Sequence, residues 1–174
     1  MERIAKFEKV SWEQFLKDLL EKTSFTEEEI KNIYDHITLP KRATKHSAGY
    51  DFYAPYSFKL EAGKSTLIPT GIRAKIREDY VLMLYPRSSL GFKYRLQLNN
   101  TVGVIDADYY NANNEGHIFA KIINDSREDK MVDISSSEAF LQGIFTPFGI
   151  TEDDDVDTER IGGVGSTTKR VKWH

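Results

Sequence analysis

Apolar and polar residues follow two different rhythms along the chain. In the first 36 residues, two segments carry apolar residues at three- and four-residue spacing, which is the period of an amphipathic helix. Ser11 and Thr26, each followed three residues later by Gln or Glu, form possible capping boxes for helices predicted over Ser11–Leu20 and Thr26–Asp35. We therefore predict that residues 1–36 form a helical N-terminal extension.

Beyond this extension, short apolar runs are separated by Pro, Gly and Asn at close intervals, a pattern typical of a β-sandwich or jelly roll. Residues 37–150 are thus expected to be a mainly β core, and residues 151–174 an acidic connector followed by a Gly-rich arm. The predicted strands are Gly49–Ala54, Ser57–Leu60, Ser65–Pro69, Gly71–Ile76, Tyr80–Tyr85, Thr101–Ile105, His117–Asn124, Met131–Ile134 and Phe140–Phe148.

Composition narrows the possible classes of protein. The 174 residues, 40% of them hydrophobic, suffice for one domain with an appendage. The net charge of −3, with both signs interspersed, gives no indication of nucleic-acid or membrane binding. The lack of cysteine excludes disulfides and zinc-thiolate sites, and four scattered histidines lack metal-ligand spacing. Without a signal-peptide core or a membrane-spanning run, we expect a soluble, cytoplasmic protein.

The segment GVIDADYY, Gly103–Tyr110, is the first candidate for chemistry. Its predicted strand delivers Asp106 and Asp108 to the strand end and the following turn. A carboxylate held by a sheet yet reachable by water meets the requirements of a general base. A hairpin turn with solvated acids is the alternative explanation of this segment.

Four further clusters are each ambiguous when taken alone. SAGYD places Asp51 just inside a strand, although it also fits a turn before an edge strand. PRSSLG, residues 86–91, sets a guanidinium beside two hydroxyls, a combination that suits phosphate oxygens. Gln142 is an amide within an apolar run, so it needs a hydrogen-bond partner or faces a site. The Gly-rich segment 160–170 can wrap a polyphosphate or be a flexible tail.

Taken together and in order, the five segments resemble the motifs of the trimeric dUTPase family. The matching stretches are SAGYDFYA, PRSSLG, LNNTVGVIDADY, LQGIFTPF and RIGGVGST, and the resemblance covers about residues 38–168. It implies a jelly-roll homotrimer that hydrolyses dUTP to dUMP and pyrophosphate with Mg²⁺, with active sites shared between subunits. From the balanced charge, we expect no nucleic-acid or membrane partner.

The resemblance assigns the nucleoside and the attacking water to the third motif. Asp106 is implied to orient and deprotonate the water that attacks the α-phosphorus. Tyr109 is implied to pack under the deoxyribose, where a ribose 2′-hydroxyl would clash. Asn100 and the nearby hairpin backbone, including Gly103, are implied to read the uracil edge.

The remaining motifs are implied to hold the phosphates and the metal. Gln142 would bind near the phosphates and the catalytic water, and Asp51 would bind a magnesium-coordinated water. Phosphate oxygens would be held by Arg87, Ser88 and Ser89. A lid from a neighbouring subunit would be formed by Arg160, Gly163, Val164, Gly165, Ser166 and Thr167.

The chain also departs from the family pattern. Val164 stands at the position of an aromatic residue in the lid, Ala139 replaces an arginine of the fourth motif, and Tyr110–Glu115 is inserted before the expected motif glycine, Gly116. These changes leave open a weakly active or inactive nucleotide-binding or regulatory protein. The N-terminal helices either cover a β surface or bind a protein partner. A relative of the dCTP deaminases is less favoured, because Lys121 occupies the position of their catalytic Glu.

Overall fold

The computed structural model describes residues 2–158 and residue 162. Within this part, the mainly β fold predicted from the sequence is confirmed. The strands are β1 Ala5–Lys9, β2 Lys41–Arg42, β3 Tyr50–Tyr53, β4 Phe58–Leu60, β5 Ser65–Pro69, β6 Ile72–Ile76, β7 Tyr80–Pro86, β8 Leu96–Leu98, β9 Gly103–Ile105, β10 Phe119–Asn124, β11 Val132–Ile134 and β12 Ala139–Pro147, and the helices are α1 Trp12–Lys22, α2 Glu27–Asp35 and α3 Ser88–Tyr94.

The strands form antiparallel sheets around a single large apolar core. The largest sheet has the order β2-β3-β12-β7-β9, and a second has the order β5-β10-β8. The pairs β4 with β11 and β1 with β6 complete the pairing. Alternation along β7 shows why these segments become strands, since Leu82 and Leu84 are fully buried while Val81 and Met83 are only partly covered.

The sequence predicted a helical N-terminal extension, but part of this extension is a strand, because Ala5–Lys9 forms β1. This strand pairs antiparallel with β6 of the β core, and the two strands form a separate two-stranded sheet. The two predicted helices are present as α1 and α2. They enclose a second, smaller apolar cluster around Phe15, Leu19 and Ile30, which also contacts Tyr56 of the β core.

The predicted capping box is present at the N-terminus of α2 but incomplete at the N-terminus of α1. Thr26 and Glu29 form the complete capping box of α2. At α1, the Ser11 hydroxyl accepts a hydrogen bond from the Gln14 backbone, but the Gln14 side chain donates to Asp18 instead of returning to the cap. The backbone N–H of Ser11 donates to Glu115, more than 100 residues away along the chain.

Several short elements lacked a clear sequence signal. The segment after Arg87, for which no helix was predicted, forms helix α3, which ends at Arg95 in the left-handed conformation. Strands β2 and β8 contain only two and three residues, too few for an alternating pattern to be recognised.

Residues 151–158 are exposed and contain no helix or strand. The predicted lid residues Arg160, Gly163, Val164, Gly165, Ser166 and Thr167 lie outside the described residues. Among the described helices, none has the length and apolarity needed to span a lipid bilayer.

Candidate active site

Three of the predicted site residues meet at one end of the largest sheet. In β12, Gln142 stands opposite Asp51 of β3 on one side and Tyr85 of β7 on the other. Arg87 follows the end of β7, and its Nε atom lies 3.3 Å from Oδ1 of Asp51. Strand register therefore places a carboxylate, an amide and a guanidinium side by side, with the guanidinium partly exposed.

The Gln142 side chain is held in this row by a neighbouring backbone carbonyl and by a close glycine. Its Nε2 atom donates to the carbonyl oxygen of Pro86 over 3.2 Å. A Cβ atom added to Gly49 would lie 2.7 Å from Gln142 Oε1. The glycine of the SAGYD segment thus leaves the space that the Gln142 amide occupies.

Ser88 and Ser89 open helix α3 and are both exposed. They lie at the same end of the sheet as the Arg87 guanidinium because α3 begins directly after β7. Two hydroxyl groups and a cation at one surface are suited to phosphate oxygens.

A second group of predicted residues surrounds the hairpin that leads into β9. Asn100 lies in the turn between β8 and β9, which is closed by a β-bridge between Leu98 and Thr101. Thr101 has a φ of 68°, and the Val102 N–H donates to the Asn100 carbonyl. Gly103 is buried at the start of β9, opposite Leu84.

Asp106 follows β9 directly and stands at the opposite end of β7 from Arg87. The pairing of β7 with β9 sets Ile105 opposite Leu82, whereas Arg87 comes directly after Pro86. The four residue steps from Leu82 to Pro86 span about 13 Å at the rise of a β-strand. Within one chain, the structure therefore separates Asp106 from the group formed by Asp51, Arg87 and Gln142.

Tyr109 lies one turn beyond Asp106 in a short 3-10 helix, and its backbone N–H donates to the Asp106 carbonyl over 3.2 Å. The ring is only 5% exposed. Its hydroxyl donates to the His117 carbonyl over 2.8 Å and accepts from Asn114 Nδ2 over 2.8 Å. The Tyr109 side chain is therefore fixed at both its ring and its hydroxyl.

Gly116 follows the inserted segment and packs directly against the backbone of Tyr109. It has a φ of 69°, and an added Cβ atom would lie 2.6 Å from the Tyr109 carbonyl oxygen. Only glycine accepts this combination of backbone angle and contact. This supports the expectation that Gly116 is the equivalent of the motif glycine, despite the insertion.

A cavity of about 570 Å³ lies beside Asn100, and several of the residues that line it had not been predicted from the sequence. They come from helix α1, from the insertion and from β10, and include Asp18, Lys22, Asn114, Phe119 and Lys121. Asp18 and Lys22 are separated from Asn100 by almost half of the chain, and no local pattern connects them. Only the docking of α1 on the β core reveals them.

The described residues contain no cluster of three or more His, Asp or Glu side chains that would hold a metal ion. Asp51 forms an ion pair with Arg87 and stands opposite Gln142 in the sheet, and it is mostly buried, with 17% of its side chain exposed. A single carboxylate beside a cation and an amide is suited to a metal site in which a bound ligand supplies most of the oxygen donors to the metal ion.

Comparison with known proteins agrees with these motifs. The family model described as dUTPase matches residues 35–167. The chain is 46% identical over 134 residues to the deoxyuridine 5′-triphosphate nucleotidohydrolase of Lactococcus lactis, covering 75% of this chain and 88% of the relative. A crystal structure of dUTPase from Streptococcus mutans is 39% identical, with a TM-score of 0.62 over 84% of this chain and 98% of the other.

A more distant structure shows the same fold. The Staphylococcus bacteriophage 80alpha dUTPase, solved with dUpNHpp, has a TM-score of 0.62 at 21% identity and covers 90% of each chain. The family model matches most of the chain, and the identity to the Lactococcus lactis enzyme is high over three quarters of it. Both observations assign the chain to the same family. The chain belongs to the dUTPase family.

Proposed function

We propose that this protein is a dUTP diphosphatase that releases dUMP and pyrophosphate, with Asp106 as the general base. The observation that carries the proposal is the placement of Asp106 directly after β9, one turn before the immobilised Tyr109. The names of the relatives support the reaction, and the retained IDADY sequence supports the residue.

In the proposed reaction, the Asp106 carboxylate accepts a proton from a water molecule as the water oxygen attacks the α-phosphorus. The bond between the α-phosphorus and the bridging oxygen breaks, and pyrophosphate leaves with that oxygen. A base anchored by a strand is held in position for this step without a reorganisation cost. The Tyr109 ring would form the floor under the deoxyribose, and Asn100 with the Gly103 hairpin would contact the uracil edge.

The separation of the two residue groups supports sites shared between chains. A catalytic carboxylate and the groups that hold the phosphates must act within hydrogen-bond reach of the same substrate. In one chain, Asp106 is about 13 Å or more along the sheet from Arg87. We therefore propose a homotrimer in which Arg87, Ser88, Ser89 and Gln142 of one subunit face Asp106 of another.

The donor set around Asp51 is compatible with Mg²⁺ that is held mainly by substrate phosphates. Mg²⁺ is commonly bound by one or two carboxylates together with phosphates and waters. When bound, the ion neutralises charge on the phosphate oxygens. Asp51 would orient one of its waters, while Arg87 supplies the adjacent positive charge.

Pyrophosphate release from dUTP, dCTP, dTTP and UTP, with and without Mg²⁺, tests the proposal. We expect Mg²⁺-dependent turnover of dUTP and little of the others. Asp106→Asn is expected to lower kcat by at least about a hundredfold while dUMP still binds.

Three results would contradict parts of the proposal. Turnover by Asp106→Asn at the parent rate would exclude Asp106 as the base. Ammonia release from dCTP would indicate the deaminase chemistry, and the absence of any turnover with retained nucleotide binding would favour a regulatory protein.

A further inference from the structure

Two of the features that set this chain apart from the family pattern, the N-terminal extension and the inserted segment Tyr110–Glu115, bind each other. Glu115 accepts hydrogen bonds from the Ser11 N–H over 2.8 Å and from the Ser11 hydroxyl over 2.7 Å. The Tyr110 hydroxyl donates to Glu8 of β1 over 2.5 Å. The insertion therefore holds the N-cap residue of α1 and makes a contact to β1.

A buried pair connects α1 to the residues just after the insertion. Nδ1 of His117 lies 2.6 Å from Oδ2 of Asp18, and both side chains are almost completely buried. The Gly71 N–H donates to Nε2 of the same ring over 2.8 Å, so the ring hydrogen is on Nδ1 and points at the carboxylate. Gln14 donates a second hydrogen bond to Asp18 over 2.9 Å.

The main chain of His117 continues this connection to the candidate site. Its carbonyl accepts the hydrogen bond from the Tyr109 hydroxyl. The imidazole is held by Asp18 and Gly71, so this carbonyl has a fixed position. A carboxylate on α1 is thus linked, through one buried residue, to the tyrosine expected under the deoxyribose.

Helix α1 also forms part of the cavity wall beside Asn100. Asp18 and Lys22 line this cavity together with Asn114 and Phe119. The Lys22 ammonium lies 5.7 Å from the centroid of the Phe119 ring. The same helix face therefore holds His117 and borders the space expected to receive the base.

We propose that helix α1 is part of the nucleoside site and that Asp18 is a positioning residue, which fixes the segment from Tyr109 to Phe119 through His117. The inference rests on the proposed function, in which Tyr109 and Asn100 bind the nucleoside of dUTP. It explains why an insertion next to the sugar site accompanies an N-terminal extension, since each provides the other with its polar contacts.

Asp18→Ala is the decisive variant. It leaves the buried Nδ1–H of His117 without its acceptor, so the Tyr109 hydroxyl loses a fixed partner. Sugar and base contacts are the same in the ground state and the transition state, so their loss raises KM and leaves kcat nearly unchanged. We expect KM for dUTP to rise about tenfold and the preference for dUTP over UTP to fall, while Asp18→Asn, which retains an acceptor, is affected less.

Thr26→Ala is the matched control within the same extension. It removes the cap of α2 and weakens the extension without touching His117 or the insertion. We expect unchanged KM and unchanged discrimination between dUTP and UTP. A loss of folded protein alone would lower apparent kcat for both substrates equally and would not change their ratio.

Glu115→Ala removes the hydrogen bonds between the insertion and Ser11 at a partly exposed position. It is the variant to use if Asp18→Ala does not fold. It is expected to change KM in the same direction by a smaller factor. The proposal is overturned if Asp18→Ala, or Glu115→Ala in its place, keeps the parent KM and substrate ratio. An equal effect of Thr26→Ala would also overturn it.

Binding of dUMP, measured by calorimetry, separates this inference from the proposed reaction. If the parent protein binds dUMP but does not turn over dUTP, the proposed reaction fails, while weaker dUMP binding by Asp18→Ala would still support the role of α1. Equal dUMP affinity of the parent and Asp18→Ala would refute that role, whatever the activity.

Discussion

The proposed trimer predicts that a mixture of two inactive variants regains activity, because in it the general base and the phosphate-binding residues of one site come from different chains. Asp106→Asn removes the base, and Arg87→Gln removes the guanidinium at the other end of β7. The register of β7 with β9 and β12 separates these positions by about 13 Å or more in one chain. Neither homotrimer would contain a complete site.

The expected activity follows from counting sites in a cyclic trimer. A site is complete only where an Arg87→Gln chain supplies Asp106 and an Asp106→Asn chain supplies Arg87. Trimers with both kinds of chain contain one such site, so purified mixed trimers should have about a third of the parent activity per trimer. If base and guanidinium came from one chain, no mixture would contain a complete site.

The assay is co-expression of the two variants with different affinity tags, sequential purification of mixed trimers, and measurement of pyrophosphate release from dUTP. Each variant purified alone gives the background, and a mixture of two parent chains with the same tags gives the full rate. Activity of mixed trimers at the background level, with both tags present and the fold intact, would refute the shared site.

Three further perturbations test individual contacts. Gly49→Ala would force the Gln142 amide out of its place, since the new Cβ would lie 2.7 Å from Oε1. We expect kcat/KM for dUTP to fall about tenfold or more. The control is Gly149→Ala, where an added Cβ would have no atom within 4 Å, and its kinetics should be unchanged. Equal kinetics of both variants would contradict the role of Gln142. Gly116→Ala should destabilise the fold by more than Gly63→Ala in denaturant titration, because both positions have a positive φ, costing about 1–2 kcal/mol, but only Gly116 would also press on the Tyr109 carbonyl. If Gly116→Ala lowers the free energy of unfolding by no more than Gly63→Ala, the inserted segment moves away from the new Cβ without cost. Burial opposes ionisation of Asp18, but hydrogen bonds from His117 and Gln14 outweigh it and hold its pKa below the ordinary value. A carboxyl with a lowered folded-state pKa stabilises the fold above its unfolded pKa of about 3.9 and loses that contribution as the pH falls through the folded-state value. The difference in unfolding free energy between the parent and Asp18→Asn should therefore be largest near neutral pH and shrink in acid, and a constant difference between about pH 7 and pH 3 would argue against an ionised Asp18 in the fold.

The N-terminal extension shows how far local patterns reach. Apolar spacing and capping residues located α1 and α2, because helix formation depends on neighbours three and four residues apart. The same reasoning missed β1, whose strand character arises from its pairing with β6. It also expected the Gln14 side chain to complete the capping box with Ser11, although in the fold the Ser11 N–H donates to Glu115.

The sequence by itself determined nine of the twelve strands described, the family resemblance and the residues expected at the site, because turn residues, alternation and ordered motifs are local properties of the chain. Only the tertiary structure decided that Asp51, Gln142 and Arg87 share one end of a sheet while Asp106 stands at the other. It alone brought Asp18 to His117. Both outcomes depend on strand register and on the docking of α1, which join residues far apart in the chain, and no local pattern of apolar and polar residues encodes such pairings.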